Sequence, residues 1–312
     1  MLQGLSTQEL CSIAPPSVSY GRDGDLVRPT NVITLGSYNW VDSQTPTIIV
    51  PGSPSIWRDP VLPLQLAPDS GPTFIDQNAH RASKSALEPA FRAISVAQGK
   101  PNGELSLAQE ELDIVTDRNN LRKLLRFVCA NGPNRVPNRG RNNSFRVDAQ
   151  LAPNNKTLVF TRFDENTIDR STGFKGYGHS FEEAVTTVSA PIITVNANST
   201  RPSSLVRTGY HRIIRYDLLG LRFMVRFEVD AMTGQSLDTL TELLGATSIS
   251  RPIEQGSPAS NEPVTTVELQ GTNLRHVLHG AMVPHESLIE LKTLKMKSSL
   301  GWYVCGYQRD SQ

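Results

Sequence analysis

Apolar and polar residues alternate with a period of two along residues 222–230. Phe223, Val225, Phe227 and Val229 fall on one side; Arg222, Met224, Arg226, Glu228 and Asp230 fall on the other. That period predicts a strand with one apolar and one charged face. It recurs over residues 288–293, where Ile289, Leu291 and Thr293 alternate with Leu288, Glu290 and Lys292. Further strands are predicted at 32–35, 47–50, 111–116, 145–149, 156–162, 210–216 and 264–269, several bounded by turn residues such as Asn154-Asn155 and Asp217-Leu218-Leu219-Gly220. The last of these turns joins 210–216 to 222–230 as a hairpin. The period lengthens to that of a helix near 88–97, where Pro89 stands close to the first turn, and over 118–128, where Leu121, Leu124, Leu125 and Val128 share a face. A glycine-rich stretch from Gly173 enters a third helix near 178–188, and 237–244 predicts a short fourth one. These elements predict a single α+β domain. Its mixed β-sheet is expected to be built from 145–163, 209–230 and 264–293 and flanked by helices.

Composition narrows this picture. Residues 1–30 are polar and turn-rich and are expected to form a flexible arm. The folded domain is expected over 31–297, with a low-complexity insertion at about 245–263. A tail of different character occupies 298–312. The 312 residues can bury a substantial core, and 21 Pro with 22 Gly favour a turn-rich, strand-containing chain. A net charge of +1 rules out an argument from global electrostatics, so any affinity for nucleic acid must come from a local patch. Cys11, Cys129 and Cys305 lie far apart with no C-x-x-C, which argues against a disulfide framework or a zinc site and for a reducing compartment. The N-terminus lacks a signal-peptide pattern and no stretch approaches a membrane span, so a nuclear or cytoplasmic protein is expected, not a secreted one.

The chemistry sits on the alternating strands. Glu228 and Asp230 share a face, as do Glu290 and Lys292. If the two strands pair, three carboxylates and an ammonium crowd together, an arrangement that is costly unless a cation sits among them. Hard divalent cations suit such oxygen donors, and a lysine beside them can hold an attacking water. The one strongly basic region begins at Arg118 and continues through Arg122, Lys123 and Arg126 to Arg135, Arg139, Arg141 and Arg146, an obvious place for phosphate contacts. Tyr38, Trp40 and Trp57 could stack bases, although aromatics beside turns more often fill a core. His276, His279 and His285 are expected at the surface.

Four features then stand in a recognisable order: Arg118 after the 111–116 strand, Gly178-His179-Ser180-Phe181-Glu182, Glu228-Val229-Asp230 and Glu290-Leu291-Lys292-Thr293. This set resembles the DXO-type (Rai/Dom-like) family of RNA 5′-end decapping enzymes and exoribonucleases, in its fungal branch, over about residues 40–295. The resemblance implies a PD-(D/E)xK-like nuclease core. Glu182, Asp230 and Glu290, with the carbonyl of Leu291, would bind Mg²⁺ or Mn²⁺, and Glu228 would hold a second ion or its water. Lys292 would orient the nucleophile and Arg118 would grip the phosphate beside the scissile bond. Arg122, Lys123 and Arg126 would contact RNA phosphates. The implied activity is metal-dependent hydrolysis at RNA 5′ ends: removal of incomplete or NAD-type caps or of pyrophosphate, with or without 5′→3′ trimming. A catalytically weak relative that binds RNA, or that stabilises a 5′→3′ exoribonuclease partner, is the alternative; a nuclease acting on DNA is a third. The chain departs from the family pattern in the acid before Arg118, in His179, and after Thr293. There the family continues through a further strand and helix, so a truncated chain with an uncovered sheet edge is expected. The chain contains no Asp-Asp, which excludes the D-D-x-x-D chelation of prenyl-diphosphate synthases.

Overall fold

The longest alternating stretches of the sequence become the middle of a nine-stranded mixed sheet. The computed structural model describes residues 4–6, 8–16, 27–100, 110–129, 144–188, 192–194, 203–234, 264, 266–294 and 303–305. In chain order its first strands are β1 (Thr30–Val41), β2 (Thr47–Gly52), β3 (Ser55–Trp57) and β4 (Thr73–Phe74). Helices α1 (Gln77–Arg81) and α2 (Glu88–Ala97) follow, then β5 (Ile114–Asp117) and helix α3 (Arg118–Val128). Next come β6 (Arg146–Leu151), β7 (Leu158–Phe163), β8 (Ile168–Asp169) and helix α4 (Gly178–Val185). Short strands β9 (Thr186–Thr187), β10 (Ile192–Thr194) and β11 (Ser203–Leu205) lead to the long pair β12 (Arg207–Leu218) and β13 (Leu221–Val229). The chain ends through β14 (Ala231–Met232), β15 (Thr266–Val267), β16 (Arg275–Gly280), β17 (Leu288–Ile289), β18 (Lys292–Leu294) and β19 (Tyr303–Cys305).

The large sheet runs β15-β16-β2-β1-β12-β13-β5-β7-β6. Its β12–β13 hairpin turns through Leu219 and Gly220, both at positive φ, the conformation of a tight two-residue connection. Helix α2 lies across β1 and β2. It can do so because Gly36 has no side chain: a Cβ there would meet the backbone of Ala93 at 3.1 Å. Between helix and sheet lie Tyr38, Trp40, Ile48, Ile94, Leu112, Val115, Ile213 and Met224, all buried. Each such side chain stabilises the fold by about 1.5–3 kcal/mol through burial alone. A four-stranded sheet, β17-β14-β3-β9, adjoins the first. Phe181 and Val185 of α4 pack with Ala231, Ile289 and Leu291 into a separate core there, and Trp57 meets Phe181 edge-on.

The mixed α+β architecture and the three longer helices agree with the sequence expectation, as do the hairpins at 146–163 and 207–229. Several particulars differ. The sheet is centred on β1 and β12, because β1, with 12 residues, is one of the two longest strands, whereas the sequence placed no central strand at 30–41. Strand β13 does not pair with residues 288–293; its neighbours are β12 and the parallel β5. Its charged side is not a solvent face at Arg226 either. Arg226 is 3% exposed, donates to the carbonyl of Ala86 and lies 3.6 Å from Asp117. In the middle of the strand both parities are covered, at Met224, Val225 and Arg226, whereas Glu228 near its end opens to the cleft. Tyr38 and Trp40 are core residues at 0% exposure, and Trp57 is half-buried against α4.

His276, expected at the surface, is fully buried on β16, while His285 is exposed and His279 half-buried. The edge expected to be bare after Thr293 is paired: β19 runs antiparallel to β18, with Thr293 opposite Val304. The described residues before β1 carry neither helix nor strand. The helix expected at 237–244, the insertion at 245–263, and Arg135, Arg139 and Arg141 lie outside the described residues.

Candidate active site

At Asp230 the chain leaves β13 of the large sheet and, one residue later, joins β14 of the small one. Ala231 pairs with Ile289, so continuing the antiparallel register sets Asp230 beside Glu290. The backbone N–H of Leu291 closes this corner by donating to Asp230 Oδ2 at 2.6 Å. The carboxylates expected to meet by strand pairing therefore meet at a junction between sheets.

Helix α4 brings Glu182 to the same place. Its N-terminus is fixed by Asp69, whose oxygens accept from the backbone N–H groups of His179 and Ser180 at 3.2 and 2.9 Å. Phe181 and Val185 turn inward, which leaves Glu182 and His179 to the cleft. Helix α3 supplies Arg118 at its first position. The acid before it, which departs from the family pattern, has a local cause: Asp117 caps α3, accepting from the N–H of Asn120 at 2.8 Å, and also faces Arg226.

The resulting cleft, about 730 Å³, is lined by Glu182, Glu228 and Asp230 and by the cations Arg118, Arg122, Arg162 and Arg207. Its electrostatics are those of crowded carboxylates. Glu182 is pushed up to about 8 by burial and by the charges of Asp230 and Glu228. Glu228 is raised to about 7 by the protein walled around it and by Asp230, although its side chain still meets water in the cleft. Burial raises Asp230 as well, against the opposing Leu291 N–H. Glu290 behaves differently. Burial would raise it, but hydrogen bonds from Lys292 at 2.5 Å and Arg118 at 2.9 Å hold it below its ordinary value.

The basic residues of α3 separate. Arg118 and Arg122 line the cleft. Lys123 is held by Asp164 at 3.4 Å, and Arg126 is exposed and outside the cleft lining, because a helix turns these positions to different sides. Of Arg122, Lys123 and Arg126, only Arg122 is in the lining of this cleft. Arg146 is engaged by Asp148 and lies over Phe163, 4.2 Å from the ring centroid.

A polar row beneath the cleft went unnoticed in the sequence. Tyr38, His211 and Glu228 are cross-strand neighbours on β1, β12 and β13. Tyr38 stacks on His211 with centroids 5.0 Å apart. Asn78 of α1 accepts from Tyr38 Oη at 2.5 Å and Trp40 Nε1 at 3.0 Å, so its amide nitrogen is left to donate to His211 Nε2 at 3.0 Å. Burial and the Arg226 charge lower His211 to about 3 and keep the ring neutral. Gly209 lies close beside it: a Cβ there would come within 2.6 Å of a Glu228 carboxylate oxygen and push that side chain aside. The signal available in the sequence was parity: Gly209 and His211 share a face with Glu228 once the hairpin is formed.

Fold and site together define a mixed α/β protein with an acidic cleft rimmed by arginines. The chain belongs to the family described as Domain of unknown function (DUF8563), which matches residues 27–304. No curated protein matches it in sequence. Among solved structures it is similar to Rai1 of S. pombe at 13% identity and a TM-score of 0.35, covering 69% of this chain and 57% of that one. The S. pombe Rai1 complex with 3′-FADP gives 12% identity, a TM-score of 0.36 and the same coverage. The chain spans 57% of the length of these solved chains. At such values the chemistry must be judged from the chain's own residues.

Proposed function

We propose that the protein is a metal-dependent hydrolase of RNA 5′ ends, removing an incomplete or NAD-type cap or pyrophosphate. The observation that carries this reading is the cluster of Glu182, Glu228 and Asp230 in one cleft, with carboxyl groups raised by mutual repulsion and burial, beside Arg118 and Lys292. Their chemistry fits a hard cation: oxygen donors, mutual repulsion in its absence, and access to water. Mg²⁺ or Mn²⁺, held by Glu182, Asp230, Glu290 and the Leu291 carbonyl with Glu228 toward a second ion or its water, would supply charge neutralisation and a more acidic water. Lys292 would hold and orient the attacking water, and Arg118, hinged at the start of α3, would take the adjoining phosphate. Arg122 and Arg162 would take backbone phosphates further along, without reading sequence.

A second reading has its own observation. Among the described residues no three His, Cys, Asp or Glu converge on a point where a metal ion could sit. Glu290 is instead bound by two cations of the protein. Such an arrangement also suits a catalytically weak RNA-binding protein, or one that supports a 5′→3′ exoribonuclease partner. In the hydrolase reading, Arg118 and Lys292 would release Glu290 as a ligand for a divalent ion.

Calorimetry with Mn²⁺ on the parent and on Asp230→Ala separates the two, run beside hydrolysis of 5′-capped or 5′-triphosphate RNA to a 5′-monophosphate end. The hydrolase reading expects binding and turnover in the parent and loss of both in the variant. A parent that binds no divalent ion, or binds it equally without Asp230, leaves the binding-protein reading in its place.

A further inference from the structure

Gln77 is the first residue of α1, set there by Asp76, which caps the helix by accepting from the backbone N–H of Ala79 at 3.0 Å. It is 8% exposed, and it lines the cleft. Its amide nitrogen donates to the Thr208 hydroxyl of β12 at 2.9 Å, which fixes the carboxamide against that strand. The carbonyl oxygen is turned toward the next residue, Gly209. A carbon built on Gly209 would lie 2.9 Å from Gln77 Oε1 and 2.6 Å from Glu228 Oε1. One oxygen from α1 and one from β13 thus flank the same small gap over the glycine.

Both oxygens are acceptors. Among the described residues neither accepts a hydrogen bond, and Glu228 has no ion pair. Two acceptors turned on one gap repel unless a cation or a proton donor takes the space between them. A half-turn of the carboxamide would offer Glu228 an N–H instead, because the Thr208 hydroxyl can donate as well as accept. The surroundings favour a full positive charge over an amide hydrogen. Glu182 and Asp230 line the same cleft as Glu228, so the field at the gap is that of several carboxylates.

We propose that Gln77 Oε1 and Glu228 Oε1 form a subsite over Gly209 for a divalent cation of the Mg²⁺ or Mn²⁺ class. This deepens the hydrolase reading and rests on the cleft holding metal. It gives the ion assigned to Glu228 a second protein ligand, one that none of the acidic motifs supplies. A carbonyl and a carboxylate are both hard oxygen donors, and ions of this class keep several waters, so few protein oxygens are needed. Gly209 belongs to the subsite by having no side chain, since a Cβ would stand in the gap.

The test is calorimetry of the full chain with Mn²⁺ alone, without RNA, on the parent, Gln77→Met and Gln77→Glu. The parent should bind Mn²⁺ in two steps. Gln77→Met keeps the stem and removes the hard oxygen. It should leave one step intact and weaken the other about tenfold or more, at least the loss expected from an outer-shell partner. Gln77→Glu should bind in the second step no more weakly than the parent. Any turnover lost in Gln77→Met should return as Mn²⁺ is raised, which a merely structural defect would not show. A single step in the parent, or two steps unchanged in Gln77→Met, overturns the subsite and leaves the proposed function standing. Loss of the second step in Gln77→Glu as well points to an amide hydrogen held by Glu228 and overturns it. So does failure of both variants to fold, in favour of a structural role at Thr208. A parent that binds no Mn²⁺ overturns the subsite and the hydrolase reading together. Two steps that depend on Gln77, without hydrolysis of RNA, keep the subsite and remove only the hydrolase.

Discussion

Glu290 shows how one carboxylate can serve two states. With its neighbours as they stand it accepts from both Arg118 and Lys292, yet all three side chains are well exposed to water. Exposed pairs of this kind stabilise by about 0–1 kcal/mol. Glu290→Gln should therefore shift the melting temperature little while abolishing any metal-dependent turnover; a variant that unfolds early but retains full turnover would contradict the assigned role. His276 makes a different point. It is fully buried, makes no hydrogen bond through either ring nitrogen, and is lowered to about 4 by burial and by Arg92. Its unfolded value is near 6.5. Between these values the unfolded chain binds the proton and the folded one does not, so stability is fully present above about pH 6.5 and falls as the pH drops toward 4. Glu182 and Glu228, raised in the folded state, act with the opposite sign over that range. Chemical denaturation should therefore show the His276 loss, about a few kcal/mol, as the difference between the parent and His276→Leu.

Among the elements, α3 does the most. Its cap Asp117 satisfies a helix N–H and sits against the buried Arg226, so Asp117→Ala removes two supports at once. Loss of a cap alone costs about 1 kcal/mol, and a buried arginine left without its partner adds more. The expected destabilisation is about 3 kcal/mol or greater, read from the denaturant midpoint. On the same helix Arg122 lines the cleft while Lys123 is tied to Asp164. Arg122→Ala should weaken binding of different RNA sequences alike and reduce the salt dependence. Lys123→Ala should leave both nearly unchanged and cost stability instead. Equal effects on RNA binding from the two variants would place the phosphate path elsewhere.

At the scale of the whole molecule, the carboxylates lie where two sheets join: Glu228 and Asp230 at the end of β13, Glu290 after β17, and Glu182 on the helix over the small sheet. A divalent ion among them would relieve their repulsion and tie the sheets together. Mn²⁺ at about a hundred times its dissociation constant should then stabilise the folded state by about 2.7 kcal/mol. Differential scanning calorimetry should show the rise in the parent and none in Asp230→Ala. The tail acts at this scale too, since β19 pairs with β18 and supplies hydrogen bonds to a segment that directly follows Glu290.

Local order was legible in the chain by itself. The period of two at 222–230, the turn at Leu219-Gly220 and the helical spacing at 118–128 depend on near neighbours, and those neighbours are in the sequence. So are the four acids Glu182, Glu228, Asp230 and Glu290, and the structure sets the first three in one cleft with Glu290 beside Asp230. What the chain did not disclose is who lies beside whom. Pairing of β13 with β5, and of β14 with β17, joins residues about 60 to 110 positions apart, and alternation is silent about partners. Burial follows pairing: Arg226 on β13, His211 on β12 and His276 on β16 lie on strands with a neighbour on each side and are buried whatever their polarity.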